Sequence, residues 1–144
     1  MNEVPLFSSL NIKSITLRNR IVLSPMCQYK AKDGMISDWH LQHYSRFAFS
    51  GLGAAFIEAT GVSPEGRIGH GCTGIWSDDH IEGLSKIAKT FKEYNCVSGI
   101  QLAHAGRKAS FLRPWDGASP ISRDDKKEPA WQTIGPSAIP INEN

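Results

Sequence analysis

Residues 54–60 read Ala-Ala-Phe-Ile-Glu-Ala-Thr, an apolar run ended by Gly61 that is typical of a buried β-strand. Glu58 is the only charged residue in this run. A polar side chain inside a buried strand either has a bonding partner or is placed for a ligand, and the sequence leaves both open for Glu58. This strand is the middle of an alternating pattern that extends in both directions.

The segments on either side have helical spacing. The helix before the strand starts with Ser37 as its predicted N-cap and is closed by Gly51 and Gly53. The helix after it starts at Ser77, and the two aspartates that follow suit the helix dipole. The predicted apolar stripes are Leu41, Tyr44, Ala48 and Leu52 in the first helix and Ile81, Leu84, Ala88 and Phe91 in the second.

Two further strands complete the alternation. Residues 20–25 form an apolar run stopped by Pro25, and Val97–Ala103 forms a third strand that contains the polar Gln101. Strand, helix, strand, helix, strand with short connections predicts right-handed βαβ units in a parallel sheet. Such a sheet needs cover on both faces.

The strand spacing predicts a larger architecture. The strand starts at Arg20, Ala54 and Val97 are 34 and 43 residues apart, which matches one β/α repeat each. Eight repeats need about 250 residues, so three make less than half a barrel. We therefore expect an α/β fold that is the N-terminal part of a (β/α)₈ TIM barrel, with a complete three-stranded α/β module as the alternative.

The predicted domain has two parts, both within a single domain spanning 1–144. The first three strands and two helices occupy residues 6–104. Residues 105–144 carry five of the eight prolines without a helical or strand period. We expect this second part to be a long loop or cap.

Composition excludes several classes of protein. The 144 residues are 40% hydrophobic and 21% charged, as in an ordinary soluble globular protein. Sixteen Lys and Arg against fourteen Asp and Glu give a net charge of +2 without a basic cluster, so neither nucleic acid nor a membrane surface is an expected partner. The longest apolar stretch, residues 54–57, is far shorter than the ~20 residues of a membrane span.

The cysteines and the start of the chain indicate a reducing compartment. Three cysteines without a C-x-x-C pair argue against a disulfide framework or a structural zinc site. Residues 2–5 have neither the basic start nor the apolar opening of a signal peptide. We expect a cytoplasmic protein.

Polar residues cluster after each predicted strand, at residues 24–29, 58–61 and 101–108. In parallel α/β folds the ligand site lies beyond the carboxyl ends of the strands. The clusters contain a thiol, a phenol, a carboxamide, an imidazole and a basic pair, which suits a polar, electron-rich or anionic ligand better than a metal. The alternative is a rim of hydrogen bonds that only stabilises the fold.

Other motifs are weak. The glycine-rich residues 66–74 match neither a P-loop nor a dinucleotide fingerprint and are predicted to be a loop. His40 and His43 are three residues apart on the first helix, but no carboxylate at matching spacing joins them, so we assign no metal. A thiol enzyme using Cys27 with His104 is a further alternative, although the flanking residues match no nucleophile signature.

Longer motifs then point to one family. Ser-Pro-Met-Cys at 24–27, Glu-Ala-Thr at 58–60, Gly-Ile-Trp-Ser-Asp at 74–78 and Gln-Leu-Ala-His-Ala-Gly-Arg-Lys at 101–108 follow one another in order. With their surroundings, from about Leu6 to Asn142, they resemble the old yellow enzyme family. The resemblance is strongest to its thiol-containing bacterial branch, which includes the xenobiotic reductases.

The resemblance implies a (β/α)₈ barrel that binds FMN, takes electrons from NADPH or NADH, and reduces the activated C=C bond of a small enone-type or nitro substrate. It implies that Ala59 meets the flavin ring and that Gln101 bonds the pyrimidine edge of the ring. Cys27 would tune the redox behaviour of the flavin, and Tyr29 would contact substrate. The implied flavin contacts are Ser24, Pro25, Met26, Cys27, Ala59 and Gln101.

His104 and Arg107 look more like supports of the rim than catalytic groups. The substrate-binding pair, the tyrosine proton donor and the phosphate site of the family belong to later strands. We expect the whole protein to be a homo-oligomer.

The first hypothesis is therefore the N-terminal part of an FMN-dependent ene-reductase. The second is a short relative that binds a ligand or a partner without catalysis.

Overall fold

The computed structural model describes residues 4–141, which form a parallel sheet with helices on one face, an N-terminal hairpin and a long irregular segment. The predicted domain ends at residues 1 and 144, and the end of the resemblance at Asn142, lie outside the described residues. In chain order the elements are β1 (Leu10–Ile12), β2 (Ile15–Leu17), β3 (Val22–Leu23), α1 (Asp38–Phe49), β4 (Ala54–Gly61), β5 (Thr73–Gly74), α2 (Ile81–Glu93) and β6 (Val97–Ala103).

The main sheet has β4 in its centre, with β3 on one side and β6 on the other, and all three strands are parallel. The predicted alternation of strands and helices is confirmed. β4 and β6 pair along their whole length, whereas β5 reaches only the end of β4, where Thr60 pairs with Thr73 and Gly61 with Gly74. Within residues 4–141 the sheet does not close into a barrel.

β3 is shorter than predicted. It spans Val22–Leu23, whereas residues 20–25 were expected to form the strand. The Arg20 amide donates to the carbonyl of Leu6 at 3.0 Å instead of joining the sheet. Pro25 has no amide hydrogen to donate. The prediction was therefore too long at both ends.

Helix α1 begins at the predicted cap. The amide of Ser37 donates to Nδ1 of His40 at 3.0 Å, which stabilises the first turn. The helix ends at Phe49, and Gly51 follows in the left-handed conformation with φ 85°. Leu52 thus lies beyond the helix, against prediction, although it still packs against the core.

Helix α2 begins at Ile81, after a short 3₁₀ turn capped by Ser77. Its buried residues are Ile87 and Phe91, whereas Ile81 and Ala88 are exposed. The predicted stripe was therefore wrong at two positions. Steps of three and four allow either residue 87 or residue 88 on the buried face, and packing against the sheet selects the larger side chain.

The hydrophobic core lies between the two helices and one face of the sheet. Val22 and Phe56, on the opposite face of the sheet, are 44% and 39% exposed. We call this opposite side the open face. The expectation of cover on both faces is therefore not met within residues 4–141. The buried core residues are Tyr44, Ala48, Ala55, Ile57, Ile87, Phe91 and Cys96.

β4 contains a bulge at Glu58. Ile57 pairs with Ile100, and the next pair is Ala59 with Gln101, so Glu58 is an extra residue in the strand. Ile57 lies in the core and Glu58 bonds to helix α1, so both face the helices. Ala59 is half-buried beside the exposed Gln101. The bulge thus directs the carboxylate to the helices and returns Ala59 to the open face.

The segments outside the sheet are mostly irregular. Residues 66–74, predicted as a loop, include the short strand β5. Residues 105–141 contain only 3₁₀ turns and one isolated bridge, and they fold back so that Nε1 of Trp131 donates to the Glu65 carbonyl at 3.0 Å. Within residues 4–141 no helix has the length and apolar character needed to cross a bilayer.

Candidate active site

The candidate site lies where β3, β4 and β6 end. Ala59 and Gln101, two of the candidate cofactor residues, are register partners on β4 and β6. Gln101 is exposed, and Ala59 is half-buried. A carboxamide and a small apolar side chain therefore lie side by side on the open face.

Cys27 lies beside this pair. Ala59 and the Tyr29 side chain are neighbours of its thiol. Burial raises the pKa of the Cys27 thiol, and the nearby negative charge of Glu58 raises that pKa further. Cys27 is therefore a neutral thiol at physiological pH.

Ser24, Pro25 and Met26 connect β3 to Cys27. Ser24 and Met26 are exposed, and Pro25 is half-buried. The Gln28 carboxamide donates to the carbonyl of Met26 at 2.8 Å, which folds this stretch over the end of the strand. The three residues remain accessible at the rim.

Tyr29 has an unusual backbone conformation. Its φ of 52° lies in the left-handed region, which costs free energy for a residue other than glycine. Two neighbours hold it there. The Arg113 side chain donates to the Tyr29 carbonyl at 3.4 Å, and Gly71 packs so closely that a Cβ at its position would lie 2.5 Å from the same oxygen.

The Tyr29 side chain packs on the irregular segment. Its ring meets the edge of Trp115, with centroids 5.8 Å apart. Burial, together with the neighbouring thiols of Cys27 and Cys72, raises the pKa of Tyr29 to about 12. The phenol therefore keeps its proton at neutral pH and is able to donate a hydrogen bond.

The sequence leaves open whether Glu58 has a structural partner or is placed for a ligand, and the structure shows structural partners. Its carboxylate is fully buried and accepts the Gln28 amide at 2.8 Å. The Tyr44 hydroxyl donates to Glu58 Oε1 at 3.4 Å and accepts the Glu58 amide at 2.8 Å. Nε2 of His40 lies 3.4 Å from Oε1 without forming a hydrogen bond.

The two helical histidines are packed rather than arranged around a metal. His40 is fully buried, and the His43 ring packs edge-on against Tyr44 and Phe47. Among residues 4–141 no group of three or more His, Cys, Asp or Glu side chains is arranged to hold a metal ion.

His104 and Arg107 hold the rim together. Nδ1 of His104 accepts the Gly106 amide at 3.1 Å, and Arg107 donates to the Ser137 hydroxyl at 3.0 Å. The neighbours of the Cys27 thiol are instead Tyr29 and Ala59. The described contacts therefore give Cys27 and His104 different partners, which does not favour a thiol–imidazole pair.

Sequence reasoning missed the residues that support the site from a distance. His40 and Tyr44 reach Glu58 from helix α1, while Arg113 and Trp115 reach Tyr29 from the irregular segment. These contacts join residues far apart in the chain. The only sequence signal was the charge of Glu58 inside an apolar strand.

Comparison with known proteins identifies the family. Residues 5–135 match the model of the NADH:flavin oxidoreductase / NADH oxidase family. The chain belongs to this family. The resemblance found in the sequence motifs is thereby confirmed.

Relatives within the family are close over most of the chain. An NADPH dehydrogenase of Geobacillus thermodenitrificans is 44% identical over 146 aligned residues, which cover 100% of this chain and 37% of that protein. An NADPH dehydrogenase of Halalkalibacterium halodurans is 47% identical over 129 residues, covering 88% of this chain and 38% of that protein. The chain thus spans less than two-fifths of the length of these relatives.

A solved structure agrees with this assignment. The old yellow enzyme from Trypanosoma cruzi superposes with a TM-score of 0.74 and is 29% identical, with 97% of this chain and 36% of that chain covered. Solved family members of this kind are TIM barrels. The fold prediction is confirmed: the chain is a partial α/β barrel with a parallel sheet.

Proposed function

We propose that the whole protein is an FMN-dependent NAD(P)H oxidoreductase that reduces activated C=C bonds, in enones or in nitro compounds, and that this chain supplies its first three strands. The observation that carries the proposal is the grouping of Cys27, Ala59 and Gln101 at one end of the sheet. Family membership and relatives named NADPH dehydrogenase support the proposed electron donor.

The residues present fit an isoalloxazine ring. Gln101 offers an exposed carboxamide that both donates and accepts, as the pyrimidine edge of a flavin requires. The small Ala59 beside it leaves room for a flat ring on the open face. Bound FMN would supply the hydride chemistry, and Ser24, Pro25, Met26 and Cys27 would line its other side.

Tyr29 and Cys27 have different roles in the proposed reaction. The protonated Tyr29 phenol would donate a hydrogen bond to the carbonyl or nitro oxygen of the substrate, and its strained backbone is held in advance of binding. The neutral Cys27 thiol would contribute a polarisable sulfur near the flavin. Cytoplasmic location and homo-oligomeric assembly remain predictions.

The test is a measurement of FMN binding. Purified protein is mixed with FMN, excess flavin is removed, and the retained visible absorbance is recorded for this chain and for a chain extended to the length of its relatives. We expect the extended chain to retain FMN, because the family phosphate site belongs to later strands. No FMN retained by the extended chain would refute the proposal.

A substitution then tests the placement of the flavin. Gln101→Ala removes the proposed hydrogen bonds and should weaken FMN binding by about 3- to 10-fold. Gln42→Ala, at an exposed position of helix α1, is the matched control and should leave the dissociation constant unchanged. Equal affinities for the two variants would remove Gln101 from the flavin site.

A further inference from the structure

Glu58 is a buried charge without a part in the proposed chemistry. Its side chain is fully buried on the helix side of β4, one residue before the candidate flavin contact Ala59. Burying a carboxylate is costly unless it is paired and hydrogen-bonded. A glutamate that only filled space would be replaced at lower cost by an apolar residue, so the contacts of this carboxylate are informative.

The carboxylate connects helix α1 to the Cys27 loop, which we define as residues 24–29. Oε2 accepts the Gln28 amide at 2.8 Å, between the two residues that carry the thiol and the phenol. Oε1 faces the Tyr44 hydroxyl at 3.4 Å. One oxygen therefore holds the loop, while the other is held by the helix.

The polar side chains of helix α1 that contact Glu58 are themselves held in place by other contacts. The Ser37 amide donates to Nδ1 of His40, so the proton of a neutral imidazole is on Nε2, which faces Glu58 at 3.4 Å. Tyr44 accepts the Glu58 amide and is fully buried. The first turns of α1 thus determine where the carboxylate lies.

From these contacts we propose that Glu58 is a positioning residue, which holds the Gln28 amide and thereby sets the position of the Cys27 thiol and the Tyr29 phenol relative to the flavin. The inference rests on the proposed function for its catalytic meaning. The physical link between Glu58 and Cys27 can be measured without flavin.

The charge of Glu58 also reaches the thiol. Burial first, and the Glu58 charge second, raise the pKa of Cys27. The other titratable groups around Glu58 are His40, His43 and Tyr44 on α1, Tyr29 in the Cys27 loop, and Cys72 before β5. A neutral isostere at position 58 keeps the shape of the side chain and removes its charge.

The experiment measures the rate of Cys27 alkylation by iodoacetamide as a function of pH, with peptide mass spectrometry to separate Cys27 from the buried Cys72 and Cys96. Glu58→Gln should move the midpoint of the profile to lower pH and speed alkylation at neutral pH. Glu65→Gln, at a half-buried residue in the loop after β4 that has no part in the pKa shift of Cys27, is the matched control and should leave the midpoint unchanged. An unchanged midpoint in Glu58→Gln, whatever its effect on stability, overturns the proposal.

A second measurement uses the unmodified protein and does not depend on whether the variant folds. The Gln28 amide lies in a loop, yet its bond to a buried carboxylate should make it exchange with deuterium at least 10-fold more slowly than the exposed Ser24 amide next to the strand. Exchange of the two amides at similar rates would contradict the proposed bond.

The third measurement is the turnover rate of the whole enzyme. In the FMN-loaded, full-length enzyme Glu58→Ala, which leaves the Gln28 amide without its acceptor, should lower kcat by about 10- to 100-fold, because small displacements of reacting groups are costly, whereas Glu58→Gln, which keeps an acceptor oxygen, should restore most of that loss. The failures are distinguishable. Loss of FMN binding by the wild type would refute the proposed function and leave the alkylation result intact, whereas an unchanged alkylation midpoint would refute only the role of Glu58.

Discussion

Cys27 combines an accessible position with a raised pKa. The residue is half-buried, and Tyr29 and Ala59 are neighbours of its thiol. A raised pKa makes a cysteine a poor nucleophile, since the thiolate is the reactive form. The chemistry of this residue is therefore better suited to tuning a neighbouring group than to attack on a substrate.

Replacing Cys27 tests this role in the FMN-loaded enzyme. Cys27→Ala should leave FMN bound and shift the two-electron potential of the flavin by roughly 20 mV, the equivalent of one weak hydrogen bond. Redox titration against a dye of known potential measures the shift. Cys96→Ala, in the core on the helix side, is the control. Loss of all flavin on the Cys27 change would contradict a tuning role.

Tyr44 should make the protein sensitive to alkali. Burial, and then the Glu58 charge, raise the pKa of Tyr44 well above its ordinary value of about 10. Below about pH 10 the folded and unfolded states both keep this proton. Above that pH the unfolded state loses it first, so the free energy of unfolding falls as pH rises.

Urea unfolding between about pH 8 and about pH 11 measures this effect. Tyr44→Phe should be less stable near neutrality by about 1–3 kcal/mol, because the Glu58 amide loses its acceptor. Its stability should fall less steeply with pH than that of the wild type. Residual slope is expected from Tyr29 and Cys72, with pKa values raised to about 12 and about 11. An identical slope in both proteins would disprove the assignment to Tyr44.

At the scale of elements, the loop before β5 supports the Cys27 loop. The Ala31 amide donates to the Gly71 carbonyl at 3.0 Å, and Gly71 lies directly against the Tyr29 backbone. The glycine-rich stretch therefore has a structural purpose that its lack of a nucleotide-binding motif concealed. It holds Tyr29 in a conformation that the isolated residue disfavours.

Gly71→Ala tests this support. The added Cβ would lie 2.5 Å from the Tyr29 carbonyl, a backbone atom that cannot move aside easily. We expect a loss of about 1–3 kcal/mol in urea unfolding. Gly135→Ala is the matched control, since the nearest atom there is 3.6 Å away. Equal free energies of unfolding for the two variants would show that the loop around Gly71 accommodates the added Cβ without loss of stability.

The elements also show where prediction from sequence succeeds. The order of strands and helices, the cap at Ser37 and the parallel sheet follow from hydrophobic period and are confirmed. The choice between Ile87 and Ala88 on helix α2 depended on packing, which a helical period of 3.6 residues does not decide. The length of β3 depended on a distant acceptor, the Leu6 carbonyl.

The sequence also predicted part of the candidate site. Residues that follow strand ends were identified by position, and Ala59 and Gln101 are indeed neighbours. The partners of Glu58 and Tyr29 were not identified, because they come from segments whose placement requires the tertiary fold. The flavin contacts themselves remain predictions.

At the scale of the whole molecule, the Arg113 side chain connects the irregular segment, residues 105–141, to the site. Arg113 donates to Glu128 at 2.8 Å within that segment and to the Tyr29 carbonyl at 3.4 Å. The guanidinium is part-buried, so the pair is less screened than one on the surface. The contact between Arg113 and Tyr29 explains how a proline-rich stretch with little regular structure keeps a defined position beside the site.

Removing the guanidinium should release the segment. In Arg113→Ala we expect proteinase K to cleave within residues 105–141 several-fold faster than in wild type, because local opening becomes less costly. Mass spectrometry of the early fragments locates the cuts. Arg123→Ala, at an exposed position in the same segment, is the control. Equal cleavage of both variants would mean that other contacts hold the segment.

The bulge at Glu58 has a consequence for how such proteins diverge. Because side chains alternate along a strand, one supernumerary residue inverts the parity of every position after it. Deleting Glu58 would restore regular alternation with Ala59 still opposite Gln101, and would remove the carboxylate that accepts the Gln28 amide. A single-codon deletion here would thus leave the wall that faces the ligand in register and remove only the carboxylate behind it that holds the loop of residues 24–29.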